Sequence, residues 1–135
     1  MTRRYMAVVF ITVFILGLSF ALAQEQRKVP AYAPADSGQQ MYVAYCASCH
    51  GKDAKGNGPA AGTLKVAPPD LTRLSASHQG KFPEAHVYTE IRCSRHMPGW
   101  GTIFSSLDRQ DQALVKLRLR NLTKYIESLQ QGSGS

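Results

Sequence analysis

"YCASCHGKDAKGNGPAA", residues 45–61, sets two thiols three positions apart, Cys46 and Cys49, follows them at once with His50, and then runs on with almost no bulky side chains. The two cysteines are too close together to staple a long loop. A third, Cys93, makes the count odd, so a disulfide framework does not account for them. On a helix, residues three apart lie one turn above each other on the same face. Both sulfurs can therefore address one edge of a single flat group, while the next residue carries an imidazole toward its centre.

The first 23 residues place this motif outside the cytoplasm. Arg3 and Arg4 form a basic start, Ala7 to Leu22 is a 16-residue run without charge, and Ala21-Leu22-Ala23 is a small-x-small cleavage site. Sixteen residues fall short of the roughly 20 needed to span a bilayer. Residues 1–23 are accordingly expected to be a cleaved export signal, and the protein periplasmic; the alternative is an uncleaved anchor helix, the one case in which a membrane enters. No cysteine follows the cleavage site, so a lipid-modified N-terminus is not expected.

In an exported chain, C-x-x-C-H is the covalent attachment signature of a c-type haem. Each thiol adds to a vinyl group on one porphyrin edge, and His50 supplies a proximal nitrogen to the iron. Two other chemistries compete. A zinc ribbon needs a second Cys/His pair at similar spacing, and a redox-active C-x-x-C follows a strand in a βαβ unit. Neither a second pair nor a strand pattern is present, so the expected cofactor is one haem c, with its iron, per chain.

The remaining pattern is helical, without internal repeats. Residues 24–35, "QEQRKVPAYAPA", read as a flexible leader. Asp36 and Ser37 can cap a helix on which Met41, Tyr42 and Tyr45 lean to one side before Cys46. Residues 51–72 hold four Gly and three Pro and end in "APPDLT", a loop that has to wrap something and whose small residues are expected to let backbone approach the porphyrin. Pro83 suits the first position of a short helix carrying Val87 and Ile91 to about Arg92 or Cys93. "SRHMPGWG", 94–101, is expected to be non-helical because Pro98 and two Gly interrupt it. Asp108 and Asp111 then open the longest periodic run, Val115, Leu119, Leu122, Ile126 and Leu129. The domain is expected over 36–130, with 131–135 a disordered tail. Loops of some 20 residues normally count against a compact domain; an apolar disc on which they pack removes that objection.

These residues resemble a class I c-type cytochrome, the small monohaem kind with His and Met axial ligands. The resemblance runs over roughly 36–130 and implies an all-α, cytochrome c-like fold: three or more short helices and long loops around one covalently bound haem. It implies that Gly38 and Tyr42 cross the last helix at Leu122 and Tyr125. "PPDLT" is similar to the turn whose Pro carbonyl receives a hydrogen bond from the proximal His, implying Pro69 (or Pro68) beside His50. "MPGWG" is similar to the family's Met loop, implying Met97 as distal ligand and Trp100 packed beside the haem.

Among alternatives for the distal ligand, Met41 shares the helix of Cys46 and cannot reach the opposite ring face, and His78 and His86 read as surface residues. His96 is the rival; Met97 is favoured because Pro98 stiffens the residue after it and a soft thioether suits ferrous iron. Cys93 reads as a buried small hydrophobe, with a reactive or dimer-forming thiol as the alternative. With both axial positions filled, iron can only exchange electrons, so the expected protein is no enzyme but an electron carrier, cycling between Fe(II) and Fe(III), or the electron-transfer subunit of a redox complex. The alternatives are a haem sensor or catalyst whose distal ligand leaves and, more weakly, a metal-free module with a small disulfide.

Redox proteins are the expected partners, and no nucleic acid. Without Arg3 and Arg4 the chain has 14 Lys and Arg against 9 Asp and Glu, a net of +5. Lys52, Lys55 and Lys65 fall in the loop after the motif and are expected to ring the exposed edge and meet an acidic docking patch.

Overall fold

The computed structural model describes residues 32–131; the expected signal, most of the leader and residues 132–135 lie outside the described residues. Five α-helices and connecting loops make up the described chain, with no strand among these residues.

Helix α1 runs from 38 to 50 in three joined segments, an α-helical Gly38–Met41, a π-helical turn Tyr42–Cys46 and an α-helical Ala47–His50. Ser37 caps it, accepting from the Gln40 amide. In the π turn the Ala47 amide donates to the Tyr42 carbonyl, five residues back. That one extra residue re-phases the helix just ahead of the second cysteine, a device found mostly where a helix must re-aim functional side chains. Met41 and Tyr42 are fully buried, as the one-sided pattern predicts.

Helix α2 (Leu74–Ser77) continues a 3₁₀ turn at Leu71–Arg73 that Asp70 caps through the Thr72 amide. Helix α3 (Glu84–Cys93) starts one residue after Pro83 and buries Val87 and Ile91. Helix α4 (Trp100–Leu107) departs from expectation: Pro98 and Gly99 do end the loop, but Trp100 and Gly101 are already helical. Gly99 only precedes the helix, and at Gly101 the missing Cβ lets α4 approach the Arg92 carbonyl of α3. Helix α5 (Gln112–Ser128) is capped by Asp111, which accepts from the Ala113 and Leu114 amides. Its predicted stripe Val115, Leu119, Leu122 and Ile126 is buried, and Leu129 is packed against the core.

The crossing of α1 on α5 organises the core. A Cβ at Gly38 would collide with the Asn121 carbonyl oxygen and lie 2.8 Å from the Tyr125 Cβ, so only Gly permits this approach. The rings of Tyr42 and Tyr125 meet there at 5.3 Å, and Leu122 is fully buried beside them.

Asp108, expected beside Asp111 at the start of α5, has another role. Its carboxylate takes Nε and a second nitrogen of Arg118 at 2.8 and 3.2 Å, with both side chains wholly buried. Arg118 also donates to the Ala33 carbonyl at 2.6 Å and lies 4.4 Å from the centre of the Tyr32 ring. The Tyr32 hydroxyl completes the cluster, donating to Asp108 at 2.6 Å, and Asn121 donates to the Ala35 carbonyl. Tyr32 to Ala35, assigned from sequence to the leader, are thus fastened to α5, and Ala33 is 1% exposed.

Candidate functional site: the CxxCH turn and its surroundings

The end of α1 carries the motif because its π turn and last α turn set Cys46, Cys49 and His50 on successive steps of one helix. The last four carbonyls of a helix have no partner within it. Here the following loop supplies them: the Ala60, Gly58 and Gly56 amides donate to Ser48, Cys49 and His50 at 2.8, 3.1 and 2.8 Å. Tyr42 fixes the turn from beneath, its buried hydroxyl donating to the Gly51 carbonyl at 2.8 Å.

This stitching changes the account of the bare loop. A Cβ at Gly58 would run into the Ser48 and Ala47 carbonyls, and one at Gly56, with φ +78°, into the Pro68 carbonyl. The close approaches these glycines permit are of the loop to its own helix end and to the Pro68-Pro69 turn. The Leu71 amide donates to the Ala54 carbonyl at 2.8 Å and closes the same loop against "PPDLT".

His50 is the most informative side chain. Its Nδ1 is buried and has no hydrogen-bond partner, although buried polar atoms are almost always paired. Burial lowers its pKa, and the Pro69 carbonyl, the one backbone group acting on the ring, opposes that shift without reaching hydrogen-bond geometry. The imidazole is therefore held toward its neutral form, the form that ligates iron. Cys46 is a free thiol pushed up to about 12 by burial and secondarily by Cys49, so it stays protonated at neutral pH.

Met97 and Trp100 come from the α3–α4 loop and the start of α4. Met97 is half-buried against the core, whereas the neighbouring His96 is exposed. Trp100 stacks on Tyr45 and Phe104, ring centres 5.2 and 5.5 Å away, which ties the Met loop to α1. His78 and His86 are exposed, as are Lys52, Lys55 and Lys65. Cys93 is corrected: it is exposed, not a buried hydrophobe, because it sits on the last turn of α3 where the chain leaves the core. It lines an open concavity of about 560 Å³ with Arg92, Thr102 and Ser105, which contains none of the motif residues.

The residues fit a haem. No group of three or more His, Cys, Asp or Glu converges among the described residues, so a tetrahedral zinc site lacks its ligands, while a porphyrin iron needs only two axial donors. Two unpaired thiols stand beside an imidazole with an orphaned nitrogen. Around the core lies a fringe of half-buried apolar side chains, Leu71, Leu74, Phe82, Tyr88, Met97 and Trp100, suited to a flat apolar group. Missed from sequence were helix α4, the π turn and the Arg118 cluster. A lone Asp ten residues before an Arg inside an apolar stripe is a weak signal, and only the charge on an otherwise buried face could have drawn notice.

Residues 33–116 match the family described as cytochrome c oxidase, cbb3-type, subunit III. Two curated relatives, each the cbb3-type cytochrome c oxidase subunit CcoP of Rhodobacter capsulatus, are 27% identical over 119 residues and 31% identical over 100. These matches take in 88% and 73% of this chain but 35% and 30% of the relatives, so the chain spans about a third of their length. No solved structure matches. The chain belongs to the subunit III family of cbb3-type cytochrome c oxidases, c-type cytochromes of all-α, cytochrome c-like fold, and its cofactor is a covalently bound haem c.

Proposed function

We propose that this protein is the electron-transfer module of a redox complex of the oxidase type, working outside the cytoplasm, with residues 1–23 serving export and 36–130 forming the haem domain. It carries electrons and is not itself a catalyst. The observation that carries this reading is two unpaired thiols at one helix end followed at once by His50, whose buried Nδ1 has the Pro69 carbonyl as its neighbouring backbone acceptor, which leaves the other ring nitrogen for iron.

In this reading Cys46 and Cys49 would hold the haem by thioether bonds, and His50 and Met97 would ligate its iron. Haem supplies a one-electron Fe(III)/Fe(II) couple. The chain does the rest. His50 offers one nitrogen to iron and turns Nδ1–H toward the Pro69 carbonyl, which fixes the ring and raises its basicity as a ligand. The Tyr42 bond to Gly51 and the loop amides on Cys49 and His50 keep that geometry from relaxing when the charge at the site changes. Met97 is favoured over His96 by its packing against the core, since a ligand already buried needs no rearrangement to stay bound. Trp100, stacked on Tyr45, holds the Met loop in place. Two permanent protein ligands leave no open position for a substrate, which favours electron carriage over a sensor whose distal ligand leaves.

The test is spectroscopic. Ferric protein is expected to show the weak near-infrared band of sulfur-to-iron ligation, and Met97→Ala to abolish it and lower the potential. If Met97→Ala keeps the low-spin spectrum and potential while His96→Ala loses them, the distal role passes to His96. High-spin iron in the unmodified protein would overturn the electron-carrier reading in favour of an open-site sensor.

A further inference from the structure

Two histidines outside the haem motif stand beside each other on the surface. His78 follows the last residue of α2 and His86 lies in the first turn of α3; both are exposed, and their ring centres are 6.4 Å apart with the planes inclined by 34°. The connection between the helices folds back to bring them together. Gln79 and Gly80 take φ of +57° and +80°, and the Gly80 and Lys81 amides donate to the Ser75 and His78 carbonyls at 2.8 and 3.1 Å. The His78 ring is held as well as its backbone. Its Nδ1 lies 2.8 Å from the Leu74 carbonyl oxygen and 3.1 Å from the Ser77 hydroxyl, which itself donates to that carbonyl at 2.9 Å. A carbonyl only accepts, so Nδ1 carries the proton and Nε2 of the neutral ring keeps a free lone pair. An imidazole whose other nitrogen donates to a backbone carbonyl is the usual form of a metal ligand, because that bond fixes both the tautomer and the orientation of the ring.

We infer that His78 and His86 form a surface site for one divalent transition-metal ion, Cu²⁺ or Zn²⁺, held by one nitrogen of each ring with water in its remaining positions. A metal–nitrogen bond of about 2.0–2.1 Å, with roughly 1.1 Å more to the ring centre, sets two ligating rings about 6.3 Å apart when their nitrogens are opposite and about 5 Å apart at the tetrahedral angle. The observed 6.4 Å lies at the open end of that range. Tetrahedral capture therefore needs an approach of about 1 Å, within the rotamer freedom of exposed side chains. Imidazole selects zinc and copper, copper the more tightly, whereas calcium and magnesium require oxygen donors. Two protein ligands do not make a closed structural site, so the ion exchanges with solvent. Cys93 and His96, exposed and three positions apart, are the rival pair, but the Cys93 thiol donates to the Thr89 carbonyl of its own helix at 3.3 Å and His96 lies beyond the end of that helix. The His78–His86 site contains none of the haem-motif residues and does not rest on the electron-transfer reading.

The experiment titrates Zn²⁺ calorimetrically into the ferric, haem-loaded protein in a non-chelating buffer. Binding of one equivalent is expected, and H78Q and H86Q should each weaken it at least roughly tenfold. Both positions are exposed, so the haem spectrum and the metal-free thermal midpoint should not change, which separates lost ligation from lost fold. C93S should bind as the parent does. Pulsed EPR after one equivalent of Cu²⁺ should show two coordinated imidazoles on copper, reduced to one by either replacement, and excess Ca²⁺ should leave that signal in place. No saturable binding of either ion would overturn the inference. So would binding that survives H78Q or H86Q, and loss of binding in C93S would assign the ion to the Cys93 pair instead.

Discussion

Replacing Arg118 with Met should unfold this domain more readily than any surface change, because it leaves a wholly buried carboxylate and a buried carbonyl without donors. Arg118 gives two bonds to Asp108, at 2.8 and 3.2 Å, and one to the Ala33 carbonyl at 2.6 Å, with both charged side chains 0% exposed. Removing one member of a buried pair costs about 3–5 kcal/mol, a large part of the roughly 5–15 kcal/mol that holds a domain folded. The pair itself is not expected to exceed a well-packed apolar replacement, so Asp108→Asn with Arg118→Met should recover part of that loss. The same cluster sets an acid limb. Burial would raise the Asp108 pKa, but the hydrogen bonds from Arg118 and Tyr32 outweigh it and the net shift is downward. A carboxylate whose folded pKa lies below its unfolded value of about 3.9 contributes stability that is fully present above that value and is lost as pH falls through the folded pKa. Urea unfolding of the haem-loaded protein, followed by circular dichroism at pH 7 and in steps below pH 4, measures both effects. If Arg118→Met costs less than about 1 kcal/mol at pH 7, or if Asp108→Asn leaves the acid limb unchanged, the cluster does not hold Tyr32 to Ala35 on α5 as argued.

Gly38→Ala gains about 1 kcal/mol of helix propensity but drives a Cβ into the Asn121 carbonyl at a packed helix crossing. Overpacking of about 1–3 kcal/mol and the immovable backbone should leave a net loss and a midpoint several degrees lower in thermal unfolding; an unchanged or higher midpoint would show that the helices separate freely there. Replacing Cys46 and Cys49 with Ala should give a pigment removable by organic extraction and a largely unfolded chain; colour that survives denaturation would refute covalent attachment through them. The bimolecular electron-transfer rate with its partner should fall steeply with ionic strength, and Lys52→Glu or Lys55→Glu should slow it with little change in potential; a rate flat in salt would remove docking through that loop.

Local chemistry was legible in the sequence wherever it depends on neighbours along the chain. C-x-x-C-H names its cofactor because both thiols and the imidazole lie within two turns of one helix, and the Ser37 and Asp111 caps and the α5 stripe follow from hydrogen bonds and periodicity a few residues long. Gly38 opposite Tyr125 was legible only through family resemblance, since 87 positions separate them and no local rule joins them. Other features needed tertiary structure. Pro98 and Gly99 end a loop, but the Tyr45 ring of α1 against Trp100 lets a helix begin at once, a contact between distant segments that propensity does not register. Asp108 looks like a helix cap in sequence; the arrival of Arg118 one turn into the core makes it half of a buried pair, and a charge can be buried only where its partner is already in place. Cys93 faces solvent because α3 ends there, and the loop glycines meet backbone because the chain doubles back on its own helix end. Hydrogen bonds and helical period act over a few residues and can be read along the chain, whereas burial is decided by which distant segments the collapse brings face to face.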